Sequence, residues 1–180
     1  YGQLPPGGTV VVAGPGQHGL GCVIAARSAG AGTIIVSGTS SDAHRLGLAR
    51  RLGADHVVNV EEESVVDRVK AVTDGGGADV VIDATHRASR LLTEAVRMVA
   101  IGGTIVVAGL KMDRVELNTD GLIVKDVTLR GANGHDVISV EAALGILERG
   151  DLPFEDMCTH TYTLEETEKA VLTVGGEGDP

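Results

Sequence analysis

Residues 9–21 read TVVVAGPGQHGLG, and Gly14, Gly16 and Gly19 stand there at G-x-G-x-x-G spacing. Such glycines have separate physical roles: the first permits a tight turn, the second lets a bulky anion approach the main chain, and the third lets a helix lie close to its strand. The β-branched run Val10–Val12 stops at Gly14 and helical composition begins at Leu20, so the predicted unit is strand, turn, helix. The N–H groups at the start of such a helix have no partner within it and suit a pyrophosphate. A chain with 26 glycines produces this spacing easily, so its weight depends on the elements around it.

Other residues with chemistry to offer are scattered. Asp83 closes a predicted strand, where a carboxylate either faces a ligand or caps the next turn, and local capping is the preferred reading. Arg87 and Arg90 share one side of a helix start and either bind an anion or form a solvated face, the commoner fate. His135 and Asp136 are sequence neighbours that would not face each other in a helix or strand, and are assigned to a loop. Cys158 with His160 offers too few ligands for zinc, and Cys22 is expected to pack as a small hydrophobe.

The elements that must position these residues alternate. After the first helix, Leu20 to Ala29, a strand is predicted over Thr33 to Ser37, a helix to about Leu52, and a strand over His56 to Val60. A helix over Glu61 to Thr73 carries its acids in the first turn, where the helix dipole favours them. Strand Asp79 to Asp83, helix Ala88 to Val99 and strand Thr104 to Ala108 follow, then a sixth strand, Val127 to Arg130, and a helix, Ser139 to Glu148. Met157 to Tyr162 reads as a strand, and Thr163 with Glu166 forms a capping box for a helix through Val174. Strands alternating with helices imply right-handed crossovers and a doubly wound parallel sheet, the Rossmann fold, in three α/β/α layers. A glycine turn between the first strand and first helix of that plan marks a dinucleotide site at the carboxyl ends of the strands.

About twenty residues beyond such a turn an Asp or Glu normally binds the ribose 2′-hydroxyl of NAD. Gly38 stands there instead, followed by Thr39, Ser40 and Ser41, with Arg45 a helical turn further on. These hydroxyls and the guanidinium either accommodate a 2′-phosphate or, for Ser40 and Ser41, simply cap the helix. Asp42 is either a first-turn acid, a ribose ligand or a group that repels phosphate. Loss of the acid tilts the balance toward NADP over NAD.

Composition narrows the remaining classes. With no Trp, two Tyr and one Phe, the core must be aliphatic, as in buried parallel strands, and stacking platforms for nucleic acid are lacking. A formal charge of −10 argues further against a polyanionic partner. No apolar run is long enough to span a membrane and no secretory signal opens the chain, so a cytoplasmic protein is expected.

The phrases GGTVVVAGPGQHGLG, RRLGADHVVNV, GGGADVVIDAT and VAIGGTIVVAGL, in this order and spacing, resemble the cofactor domain of zinc-dependent medium-chain alcohol dehydrogenases over essentially the whole chain. The resemblance implies hydride transfer between a nicotinamide cofactor and an alcohol or carbonyl substrate held on a catalytic zinc. It further implies that the zinc and its ligands belong to a separate catalytic domain, absent from this chain. Residues 1–155 would then be the dinucleotide-binding domain and 156–180 the start of a return segment toward the catalytic one, leaving the chain alone able to bind a nucleotide and unable to catalyse.

By the same resemblance Gly14, Gly16, Gln17, His18 and Gly19 would surround the pyrophosphate, Gln17 and His18 through backbone N–H groups, so no catalytic residue is assigned here. Ala84 and Thr85 would border the adenosine side, and Gly109, Leu110, Ala132 and Asn133 would flank the nicotinamide. The sixth strand, VTLRG, would pair across a two-fold axis in a homodimer. The alternatives are a zinc-free quinone or enoyl reductase of the same fold and a nucleotide-sensing module without chemistry.

Overall fold

Both faces of the first strand are buried, and that dictates the layering. In the computed structural model, which describes residues 2–175, β1 (Thr9–Ala13) sends Val10 and Val12 into one apolar cluster and Val11 and Ala13 into another. Successive side chains of a strand point to opposite faces, so a run with no polar position needs cover on both sides. Leu20, Val23 and Ile24 of α1 (Gln17–Ser28) and Leu46, Leu48 and Ala49 of α2 (Ala43–Arg51) close the first cluster. Val65, Val66 and Val69 of α3 (Val65–Val72) and Leu91, Leu92 and Ala95 of α4 (Arg90–Met98) close the second.

The remaining strands are β2 (Thr33–Gly38), β3 (His56–Asn59), β4 (Ala78–Asp83), β5 (Val99–Val107) and β6 (Thr128–Gly131). All pair in parallel, in the order β3-β2-β1-β4-β5-β6. The chain winds outward from β1 to β3, then returns to the other side of β1 at β4. The carboxyl ends of β1 and β4 therefore flank the crevice where such a sheet receives a ligand. The chain continues through α5 (Asp120–Lys125), α6 (Val137–Arg149) and α7 (Thr167–Gly175), and no helix among the described residues is long and apolar enough to cross a membrane.

The Rossmann plan and its three layers are as expected, and several local elements differ, among them β5, which begins at Val99 rather than Thr104. The predicted helix over Glu61–Thr73 starts only at Val65: Ser64 caps it by accepting from Asp67 N at 3.2 Å, and Glu61–Glu63 form a turn in which Glu62 N and Glu63 N donate to Asn59 O. Ser64 is a better cap than any preceding acid, because its hydroxyl reaches the orphan N–H groups. The α5 helix was not anticipated. Its Lys125 closes the end of α4 by donating to Val96 O at 2.9 Å and Val99 O at 2.8 Å.

The strand expected at Met157–Tyr162 does not form. Phe154–Met157 is a turn of 3₁₀-helix and the following residues run without a partner strand, and alternation alone makes no ladder. Asp156 is paired with Arg51 of α2, and Met157 packs against the first cluster, so the chain stays attached to the sheet's helical layer past residue 155. The described part of the expected return segment ends at Gly175, and residues 176–180 lie outside the described residues.

The carboxyl end of β4 is held by a buried ion pair. Asp83 is fully buried, and Lys111 Nζ lies 2.7 Å from each of its carboxylate oxygens. The ammonium donates to Asp83 Oδ1, Thr85 O and Thr85 Oγ1, while Thr85 N and Oγ1 donate to the same Oδ1. Asp83 Oδ2 has the ammonium's charge beside it but no hydrogen bond of its own. Capping of the following turn, the reading preferred from sequence, is present, and Lys111 adds a partner from 28 residues away. Removing one member would strand a charge in the core. Lys111→Met is expected to lower stability by about 3–5 kcal/mol in urea unfolding, with a substantial part recovered in Asp83→Leu/Lys111→Met.

Candidate functional site

The turn after β1 leaves no room for side chains where they would obstruct it. Gly14 has φ +92° and donates its N–H to Ser37 O at 2.9 Å, tying the turn to β2. A Cβ on Gly19 would lie 1.8 Å from Gly14 O, so the first turn of α1 sits directly on the carbonyl of the loop. Gly16 is the N-cap of α1 and has nothing within 4 Å of its Cβ position. No side chain caps this helix, and Gln17 and His18 are exposed in its first turn. The result is an open, uncapped helix N-terminus with its main chain accessible. Backbone N–H groups and the helix dipole together favour an anion there.

A cleft of about 550 Å³ opens beside the turn, lined by Gly14, Gly38, Thr39 and Thr85 from the predicted set, together with Asp42 and the turn Glu61–Glu63. Gly38 has a packing reason to be glycine, since a Cβ there would meet Pro15 Cγ at 2.8 Å. The residues after it are drawn into local bonds. Thr39 donates from N and Oγ1 to Asp42 Oδ2 at 3.0 and 2.9 Å, Ser41 Oγ lies 2.8 Å from Thr39 Oγ1, and Arg45 Nη1 donates to Asp42 Oδ1 at 3.0 Å. Burial works to raise the Asp42 carboxyl, but the bonds from Thr39 and Arg45 outweigh it and hold the group below its ordinary value. Ser40 N donates to Glu61 Oε2 at 2.9 Å, and hydrogen bonding from Ser40 keeps the Glu61 carboxyl low as well. Ser40, Ser41 and Arg45 do not line the cleft.

Glu61 and Glu62 were missed as members of this site because the acids were assigned to a helix. The available signal was Ser64, a cap that leaves three acids free between it and β3. Asn59 organises them: its Nδ2 donates to Ser40 Oγ at 3.0 Å and to Glu62 Oε1 at 2.8 Å.

On the other side of the turn, Ala84 N donates to Ala13 O, and Gly109 must be glycine because its Cβ would fall 2.0 Å from Thr85 O. Leu110 is exposed and accepts from Arg87 N through its carbonyl. Ala84, Gly109 and Leu110 line neither cavity. Ala132 and Asn133 line a second cavity, about 450 Å³, with His18, Cys22 and Ala108. Of the predicted residues, Gly14, Gly38, Thr39 and Thr85 line the first cavity and His18, Ala132 and Asn133 the second, and the others line neither. Burial pushes the Cys22 thiol up, consistent with a packed hydrophobe. Asp136 is the cap of α6, accepting from Ser139 N at 2.8 Å, and Arg90 is paired with Glu94 at 2.9 Å.

The family model described as zinc-binding dehydrogenase matches residues 19–149. The chain belongs to the zinc-binding dehydrogenase family. It corresponds to the family's cofactor-binding part. It is 38% identical to a probable alcohol dehydrogenase of Mycobacterium tuberculosis (strain ATCC 25618 / H37Rv), over 98% of this chain and 49% of that relative. It is 32% identical to a sorbitol dehydrogenase of Halalkalibacterium halodurans, over 93% of this chain and 49% of the relative. Among solved structures, an alcohol dehydrogenase from Thermotoga maritima superposes with a TM-score of 0.84 at 35% identity, over 96% of this chain and 48% of that one. The chain spans about half the length of the curated relatives it matches. Among the described residues of this chain no group of three or more His, Cys, Asp or Glu side chains could hold a metal ion, so the residues present do not fit the zinc.

Two substitutions test this geometry. Gly19→Ala gains less than about 1 kcal/mol of helix propensity but meets a backbone oxygen that cannot rotate away. A net loss of about 3 kcal/mol or more is expected in thermal unfolding. Asp42→Ala is expected to cost about 1 kcal/mol at neutral pH. A carboxyl held low in the folded state contributes above its unfolded value and loses that contribution as pH falls through the folded one. The difference between the Asp42→Ala variant and the parent chain should therefore close on acidification, read as melting temperatures across a pH series.

Proposed function

We propose that residues 1–155 form the nicotinamide-dinucleotide-binding domain of an oxidoreductase acting on an alcohol or carbonyl substrate. The observation that carries this reading is the Gly14–Gly16–Gly19 turn. Its helix is pressed onto the loop carbonyl and its open N-terminus stands at the point where the strand order reverses. Main-chain groups of Gly14, Gly16, Gln17, His18 and Gly19 receive the pyrophosphate. The cleft at Gly38, Thr39 and Thr85, with Ser40, Ser41 and Arg45 on the adjoining loop and Ala84 beside Thr85, takes the adenosine side. Gly109, Leu110, Ala132 and Asn133 lie toward the nicotinamide.

The bound nicotinamide supplies the hydride acceptor or donor. What the chain contributes is position, since holding two reactants in register removes much of the entropic barrier to transfer. Relatives named alcohol, D-arabitol-phosphate and sorbitol dehydrogenase support an alcohol or carbonyl as substrate. The zinc and the substrate pocket are assigned to a part of the polypeptide outside these 180 residues, with 156–180 beginning the return to it. This fits relatives about twice as long and the lack of a metal group among the described residues. Strand β6 is the sheet's outer strand on that side and is assigned as the pairing edge of a homodimer.

Titration of the 180-residue chain with NADH and NADPH, followed by reduced-cofactor fluorescence, tests the reading. Saturable binding of one dinucleotide per chain without alcohol oxidation in the presence of zinc is expected. A folded chain that binds neither cofactor at millimolar concentration overturns the assignment, and turnover by the chain alone overturns the division of labour.

A further inference from the structure

The end of β2 carries no carboxylate, yet the cleft that opens there is lined by Asp42, Glu61, Glu62 and Glu63, with Arg90, Glu94 and Arg97 of α4 also in its lining. A 2′-phosphate entering this cleft would need donors. The two backbone N–H groups nearest Gly38 along the loop are already engaged: Thr39 N donates to Asp42 Oδ2 at 3.0 Å and Ser40 N to Glu61 Oε2 at 2.9 Å. The loop's cation is engaged as well, with Arg45 Nη1 3.0 Å from Asp42 Oδ1 and its side chain outside the cleft lining. The hydroxyls of Thr39 and Ser41 bond to each other, and Ser40 Oγ accepts from Asn59. Beside Gly38 a dianion would have to break these bonds and sit against Asp42 and Glu61; the arginines of the cleft lining, Arg90 and Arg97, stand on α4, where Arg90 is paired with Glu94, and Glu63 is paired with Arg68. A ribose hydroxyl is a donor and meets acceptors.

We propose that this chain takes NAD in preference to NADP, and that Glu61, carried in from the turn after β3, accepts the hydrogen bond of the adenosine ribose 2′-hydroxyl in place of an acid at the end of β2. The proposal rests on the dinucleotide reading above and reverses the preference suggested by Thr39, Ser40 and Ser41 in sequence. Three features fit Glu61 to this role. Its turn is fixed at both ends, by Glu61 N donating to Asn59 Oδ1 at 3.2 Å and by the Ser40 bond. Its carboxylate has two oxygens and about four acceptor sites, of which Ser40 N uses one. It also lines the same cleft as Gly38 and Thr39, the residues that end β2 and open the following loop.

Glu61→Gln separates charge from scaffolding, because the amide oxygen still accepts from Ser40 N and the side chain keeps its size. Dissociation constants for NADH and NADPH are measured by fluorescence titration of the 180-residue chain and of Glu61→Gln. For the parent chain NADH should bind at least about tenfold tighter than NADPH, the discrimination expected when an unpaired charge is built against one partner. Glu61→Gln should narrow that ratio by about threefold or more, chiefly by tighter NADPH binding, and added salt should narrow the parent's ratio in the same direction. Equal or tighter binding of NADPH by the parent chain overturns the proposal, as does a ratio unchanged in Glu61→Gln. Binding of neither dinucleotide overturns the functional reading itself, so the two failures are distinct.

Discussion

The structure around the site depends on one steric constraint, the seating of α1 on the loop that follows β1. With Gly14 O occupying the place where a Cβ of Gly19 would stand, the helix axis cannot approach this way with any other residue there. That contact sets the direction in which the uncapped N–H groups of α1 point, and it draws Leu20, Val23 and Ile24 onto Val10 and Val12. Burial of these side chains, at about 25 cal/mol per Å² of apolar area, drives the helix down, and the missing Cβ lets it arrive. The anion-receiving geometry is thus a by-product of core packing rather than an addition to it.

The constraint propagates through Thr85. A Cβ on Gly14 would meet Thr85 Cγ2 at 2.9 Å, and one on Gly109 would meet Thr85 O at 2.0 Å. Thr85 is therefore wedged between the turns that follow β1 and β5, and Lys111 clamps it from beyond the second turn through both its carbonyl and its hydroxyl. The carboxyl ends of β1, β4 and β5 consequently form one rigid rim, with the buried Asp83 as its anchor. An ion pair this deep is a poor source of net stability, because desolvation offsets the attraction. What it provides is a fixed position for Thr85 at the edge of the cleft.

Much of this was legible in the residues. The run Val10–Val12, the spacing of Gly14, Gly16 and Gly19 and the alternation of strands and helices point to the Rossmann fold and its three layers, because steric and hydrophobic rules act locally there. What was not legible depended on partners distant in sequence. Lys111 carries no local sign that it will meet Asp83, and Glu61 none that it will meet Ser40, 21 residues earlier. Met157–Tyr162 has the alternation of a strand, but pairing is a property of two segments and the second is not available to it. The α5 helix was missed because its six residues give too short a period to read, although Thr119 and Asp120 offered a start.

The cofactor question shows why a fixed offset from a glycine motif is an unreliable guide to charge. Counting about twenty residues forward reaches Gly38 and finds no acid, which suggests room for phosphate. In three dimensions Ser40–Asp42 make a turn of 3₁₀-helix that returns Asp42 to Thr39 N, and Asn59 holds the β3 turn so that Glu61 reaches Ser40 N. Two carboxylates thus arrive at the end of β2 from outside it, one from three residues downstream of Thr39 and one from the turn that follows the neighbouring strand. Their charge is maintained by the same N–H groups they occupy, since both carboxyls are held low by those bonds. A site can therefore lose the acid at the expected position and remain acidic. The 2′ preference then follows from which donors remain unpaired, a quantity set by the loop's hydrogen bonds and not by its composition.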